Sequence, residues 1–200
     1  MKQLATVLSL LFAIACVSRV SHAQSNSPKQ VVEDFCKFET AGGLLAPDGW
    51  NKLNKFLATP VSPTKAQIIF VTDAHYSVWD PVIKNDKATV IVGTGDIWKL
   101  DSRMRLVPDL SQKSVKSGFA YQLILTDKHW ELGQDEKLPK EVAGPREWKI
   151  VAEGKNMSNT IWLTADTAIR YVTQVRDETK DAVVRQNTTK TVTRLKRLLR

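Results

Sequence analysis

From residue 65 to residue 153 the chain reads almost without a break as strands. The stretches between them are mostly rich in turn formers and hold no helical pattern. Parallel neighbours need a long crossover, usually helical, so this order predicts an antiparallel sheet. Gln67–Thr72 and His75–Trp79 are dense in β-branched and aromatic residues. Ala88–Leu100 reads as one long strand with Val90, Val92, Thr94, Asp96, Trp98 and Leu100 on one face. Gly93 and Gly95 fall inside it, where glycine marks a bulge or a sharp bend, the device by which one sheet wraps round. Arg103–Val107 is placed to pair with its end. Phe119–Trp130 is a second long strand with Phe119, Tyr121, Leu123 and Leu125 sharing a face, and Glu147–Glu153 follows the polar loop Gly133–Pro145.

Helices flank this block. Ser27-Pro28-Lys29-Gln30 is a helix start: Ser27 caps, Pro28 suits the first helical position and Gln30 can close a capping box. Val31, Val32, Phe35 and Phe38 then recur at helical spacing until Gly42, a residue suited to a left-handed stop, so the first helix covers about 28–41. Trp50, Leu53 and Leu57 share a face of a second helix over about 47–58, closed by Pro60 and Pro63. At the other end, Thr164 caps a helix carrying Ala168, Ile169, Val172 and Val175. A last amphipathic stretch runs from Val183 to Leu199, and its apolar-poor middle, Gln186–Thr191, predicts a loosely held piece.

Residues 1–23 have the anatomy of an export signal: Lys2, an apolar run from Leu4 to Val17, and the small residues of Ser21-His22-Ala23 before the cut. A rival cut stays open. Ala13-Ile14-Ala15-Cys16 loosely matches a lipoprotein box that would make a lipidated Cys16 the new N-terminus. After either cut Cys36 is the one unmodified thiol, set in a helical pattern beside Phe35, so no internal disulfide forms. The formal charge of +8 becomes 8 − 2 = +6 once Lys2 and Arg19 leave with the signal. Residues 190–200 hold Lys190, Arg194, Lys196, Arg197 and Arg200 without an acid. They suit both a solvated last turn matched to the helix dipole and contact with an anionic membrane surface. Export argues against a nucleic acid. Asn156 and Asn187 match the glycosylation pattern, which matters only in a eukaryotic secretory host.

Three stretches carry a resemblance. "QVVEDFCKFETAGG", "PDGWNKLNKFL" and "REWKIV" resemble the first helix with its Gly-rich exit, the second helix and a late strand of the nuclear transport factor 2-like superfamily, also called SnoaL-like or cystatin-like. The resemblance covers about 28–153. It implies an α+β cone, in which N-terminal helices pack on a strongly curved antiparallel sheet. The helical C-terminal extension departs from the minimal fold and looks like that of exported bacterial relatives of unassigned function. The organisation expected is therefore a signal at 1–23, the cone at 24–158 and a helical extension at 159–200.

Chemistry is less legible. "GTGDIW" (93–98) lacks the third glycine and the following helix of a dinucleotide loop and continues as strand. The resemblance implies a His or Asp inside the cone as acid or base, and His75 with Asp96 is the candidate dyad. His75 and Tyr76 alternate, so one of them points inward. The other histidine of the mature chain, His129, neighbours Trp130; two histidines and one thiol do not make a zinc or iron cluster, and no motif calls for a cofactor. The aromatics Trp50, Tyr76, Trp79, Trp98 and Tyr121 have the character of a cavity lining. The leading expectation is a periplasmic or secreted, non-catalytic module that holds a small apolar or aromatic ligand, or a protein partner, in or around the cone, with a homodimer open. The alternatives are an isomerase, cyclase or hydrolase using His75 and Asp96, and an envelope scaffold held by 190–200 or by Cys16.

Overall fold

A computed structural model describes residues 26–62, 68–72, 76–108, 118–131, 140–151 and 160–200. Residues 1–23, read above as an export signal, with Cys16, and also His75 and Asn156, lie outside the described residues. The fold is α+β: helices pack on a strongly curled, mainly antiparallel sheet, and two further helices follow at the C-terminus.

Helix α1 spans Pro28–Thr40. The Ser27 hydroxyl accepts from the Gln30 amide, and Gly42 takes the left-handed turn at φ 83°. Gln30 does not close a capping box; its side chain donates to Asp34 at 3.0 Å. Val31, Val32, Phe35 and Cys36 are buried, and the Phe35 ring meets Phe56 and Tyr121 edge-on, at 5.8 and 5.5 Å between centroids. After a 3-10 turn at Gly43–Leu45, helix α2 covers only Gly49–Asn54. Gly49 is required there, because a Cβ would run into the Gly43 carbonyl. The expected helix to residue 58 stops early because the chain turns extended to pair with a strand. Ala58 N donates to Ile150 O and Ile150 N to Phe56 O, each at 2.8 Å, while the Asn54 side chain clasps both backbone groups of Val61.

Two ladders form the sheet. The first has the order β6-β5-β1-β9, with β1 at Ile68–Thr72, β5 at Ile97–Leu100, β6 at Leu106–Pro108 and β9 at Thr160–Thr164. The second runs β2-β4-β7-β8, with β2 at Tyr76–Val78, β4 at Lys87–Thr94, β7 at Gly118–Glu131 and β8 at Lys140–Ile150; β3, Val82–Lys84, also pairs with β4. The long strand expected over 88–100 is thus two strands in different ladders. The chain breaks pairing at Gly95-Asp96, and beyond it Ile97, of opposite parity, is buried while Asp96 is exposed. The antiparallel rule breaks where β1 and β9 run parallel, Ile69 opposite Ile161 and Val71 opposite Leu163, because β9 returns from the far end of the chain rather than through a hairpin; the short Leu57–Ile150 bridge is parallel as well. The polar stretch expected as loop to Pro145 is strand from Lys140. It pairs with residues 128–131 as the outer arm of a β7–β8 ribbon, after a bulge between Thr126 and Lys128. Most of that arm is exposed, so its residues are polar on both faces and give no strand alternation.

The C-terminal segment enters as strand β9 and not as helix. Helix α3 (Ala165–Glu178) then starts from Thr164, whose hydroxyl accepts from Thr167 N as the sequence predicts. Helix α4 (Ala182–Leu198) is not loosely held. Thr188 and Thr191 are buried and their hydroxyls are used: Thr188 donates to Arg185 O, Thr191 donates to Met104 O at 2.8 Å and accepts from Leu106 N at 3.3 Å. Asn187 and Arg194 add bonds to the carbonyls of Arg103 and Leu106. Polar side chains here do the docking that apolar ones do elsewhere. Val172 and Leu195 nevertheless reach the same hydrophobic core as Val32, Val90 and Leu123. Lys190, Lys196, Arg197 and Arg200 stay exposed on the outer side of α4.

Thr191→Val leaves a buried carbonyl and amide of the β6 segment without their partner and is expected to cost about 1–3 kcal/mol in urea unfolding. Thr191→Ser should stay near wild type. An unchanged midpoint for the valine variant would show that the docking bonds contribute nothing.

Candidate functional site

Residues Thr72 and Ile97 are opposite one another in the first ladder, and Tyr76 and Thr94 in the second. Both strands of this pair therefore leave one ladder for the other at the same place. The bend opens an alcove beneath the C-terminal half of α1. Cys36, Glu39 and Thr40 face it from the helix, Thr72 and Trp162 from the first ladder, and Tyr76, Val92, Thr94, Phe119 and Tyr121 from the second. It is half open to solvent, and its volume is about 30 Å³, enough for roughly one water molecule.

The wall is aromatic. Trp162 stacks on Phe70 at 4.8 Å and meets Phe119 edge-on at 5.0 Å. The floor is polar and incompletely paired. Thr40 is satisfied by Cys36 O at 2.7 Å, but the buried Thr94 hydroxyl has no hydrogen-bond partner. Glu39 is 7% exposed and has no hydrogen-bond partner among the described residues; burial pushes its carboxyl up to about 8. The Cys36 thiol is pushed up to about 12, by burial first and then by the neighbouring Glu39 charge, while Tyr121 lowers it in part. Burial, followed by Glu39 and Cys36, holds the Tyr121 hydroxyl well above its ordinary value. Near neutral pH the alcove thus presents a protonated acid, a thiol and phenols.

A larger groove of about 330 Å³ lies between the start of α1 and the end of β8. Most of its charged groups already serve each other or their neighbours. Lys149 Nζ meets Glu147 at 3.0 Å and Lys55 O at 2.8 Å, Arg146 meets Asp86 at 3.2 Å, and Asp34 accepts from Gln30. Nothing buried there lacks a partner among the described residues, so the alcove is the better candidate.

Of the aromatics expected to line a cavity, Tyr76 and Tyr121 do line the alcove. Trp50 and Trp98 are partly buried against the core elsewhere, and Trp79 is 57% exposed beside β2. Asp96 is exposed at the ladder junction and lines neither cavity, and His75 lies outside the described residues. His129 bonds to Pro145 O at 2.8 Å. Among the described residues, no three His, Cys, Asp or Glu side chains gather as a metal site, and no helix is long and apolar enough to cross a membrane. Sequence reasoning passed over Glu39, Thr94, Phe119 and Trp162. Glu39 left a signal: it lies four residues after Phe35 and seven after Val32, an acid on the apolar stripe of α1. Comparison with family profiles, with curated proteins and with solved structures finds no match for this chain.

Between the carboxyl's ordinary value of 4.5 and about 8, the unfolded chain has lost the Glu39 proton and the folded chain keeps it. This group's contribution to stability is full below that window, falls with rising pH by at most roughly 1.4 kcal/mol per unit, and levels off above about 8. Urea unfolding at a series of pH values should show that slope in the wild type and a flatter one in Glu39→Gln. Parallel profiles would mean that Glu39 is ionised in the fold.

Proposed function

We propose that this protein is an exported, non-catalytic binding module that takes a small apolar or aromatic ligand at the alcove. The observation that supports the reading is Thr94 Oγ1, a buried hydroxyl without a hydrogen-bond partner, beside the nearly buried carboxyl of Glu39, around a space walled by Tyr76, Phe119, Tyr121 and Trp162. Buried polar groups are nearly always paired, so an orphan on this small space points to something that enters it. The volume suits a head group, and the ligand's body then rests on the aromatic rim. Cys36 and Tyr121 keep their protons near neutral pH, which leaves them poor nucleophiles and bases and favours binding over covalent chemistry. Export through residues 1–23, and kinship with the nuclear transport factor 2-like cone, belong to this proposal.

The test is ligand-observed nuclear magnetic resonance with a set of small aromatic amines, alcohols and acids. Saturation transfer should appear for at least one class and vanish in Thr94→Phe, whose ring fills the alcove, with circular dichroism to show that the variant is folded. No transfer to any class, or transfer that survives in a folded Thr94→Phe protein, would overturn the reading.

A further inference from the structure

We infer that the alcove is built for the head of a protonated primary amine carrying an apolar or aromatic stem, with the Glu39 carboxylate as its counter-ion. This rests on the binding reading above and names its ligand class.

Four observations converge on a cation. The first is the orphaned acid. A carboxyl that is 7% exposed, with no hydrogen-bond partner among the described residues, resists ionising near neutral pH, and a positive group brought to it would favour the charged form. The second is the local field. The side chains facing the alcove that can titrate are Cys36 and Glu39 on α1, Tyr76 on β2 and Tyr121 on β7; Thr72, Thr94 and Trp162 complete the other elements. The charged residues that shift Cys36, Tyr76 and Tyr121 are Glu33, Asp34 and Glu39, all acids, and no lysine or arginine among the described residues offsets them. Of the lysines on α1, Lys29 is paired with Asp80 at 2.9 Å and Lys37 is exposed. A chain that is basic overall is acidic at this one recess.

The third observation is size. About 30 Å³ suits one ammonium group, the bulk of a water molecule. The fourth is the match of donors to acceptors. An ammonium group is all donor, and the two orphans, the Glu39 carboxylate and Thr94 Oγ1, can both accept. The faces of the surrounding rings add cation–π attraction.

Proton balance follows. At neutral pH the free protein holds Glu39 protonated, so binding of the ammonium form expels that proton to solvent and leaves an ion pair. Affinity then rises about tenfold per pH unit up to about 8 and levels above it, until the amine itself loses its proton.

The experiment is isothermal titration of the purified protein with phenethylamine and with its neutral counterpart phenethyl alcohol, between about pH 6 and pH 9 and in two buffers of different ionisation enthalpy. Expected are binding of the amine, weakening of about tenfold per unit below about pH 8, release of close to one proton at neutral pH, and at least a tenfold loss in Glu39→Gln. Should that variant not fold, Thr94→Val is expected to weaken the amine several-fold, and the wild-type pH profile stands by itself. Alcohol binding as tight as amine binding, or amine binding that ignores pH, overturns the cation while the alcove remains a binding site. Silence from amine and alcohol together also overturns it; if the nuclear magnetic resonance set is silent as well, the binding reading falls with it.

Discussion

The structure depends on a register constraint. β1 and β5 are antiparallel partners, and so are β2 and β4, with Thr72 opposite Ile97 and Tyr76 opposite Thr94. When one of these chains leaves its ladder the other must leave at the same level, or the pairs on either side fall out of register. Gly95-Asp96 supplies the break on one strand. The sheet accordingly turns a corner, and a corner in a sheet cannot be filled by the sheet's own side chains, because they diverge there. α1 covers it with Val32 and Phe35 over the well-packed part and with Cys36 and Glu39 over the bend. The alcove is the residue of that geometry.

Curling a sheet without closing it leaves edges, and exposed edges invite pairing with other chains. Two of the outer strands, β8 and β6, are covered in different ways. β8 takes the extended segment after α2 as a short extra partner, with Lys149 and Trp130 side chains bonding the carbonyls of Lys55 and Ala58. β6 is covered by α4, whose Asn187, Thr191 and Arg194 bond backbone groups of residues 103–106. The C-terminal helices thus belong to the sheet's completion, and β9, which introduces them, pairs with β1 as the end strand of the first ladder.

That dependence explains which parts were legible in the sequence. The caps at Ser27 and Thr164, the stop at Gly42 and a strand within 103–107 pairing with the strand end at Leu100 follow from local chemistry and were readable. What escaped is nonlocal. The end of α2 is set by Ile150, almost a hundred residues away; the strand character of 140–146 comes from its partner at 128–131; and the firmness of Gln186–Thr191 comes from carbonyls of another element. The candidate site was half legible for the same reason. Tyr76 and Tyr121 stood out as aromatics on strands, whereas Thr94 and Trp162 acquire their meaning only when the corner brings two ladders together.

Glu39 shows why the alcove differs from a packing fault. Immediately around it the chain spends apolar residues freely: Phe35 and Cys36 on the same helix, Val92 on the facing strand, each buried. A leucine at position 39 would continue that stripe and remove a polar group that burial disfavours. Thr94 repeats the pattern two residues beyond Val92, where valine would fill the same volume without an orphaned hydroxyl. Each orphan costs on the order of 1–3 kcal/mol against its satisfied state. Both lie where the sheet bends, and both face the same water-sized space. A fold selected for stability alone would remove such costs, and their placement in one aromatic-walled recess is the physical basis of the binding proposal.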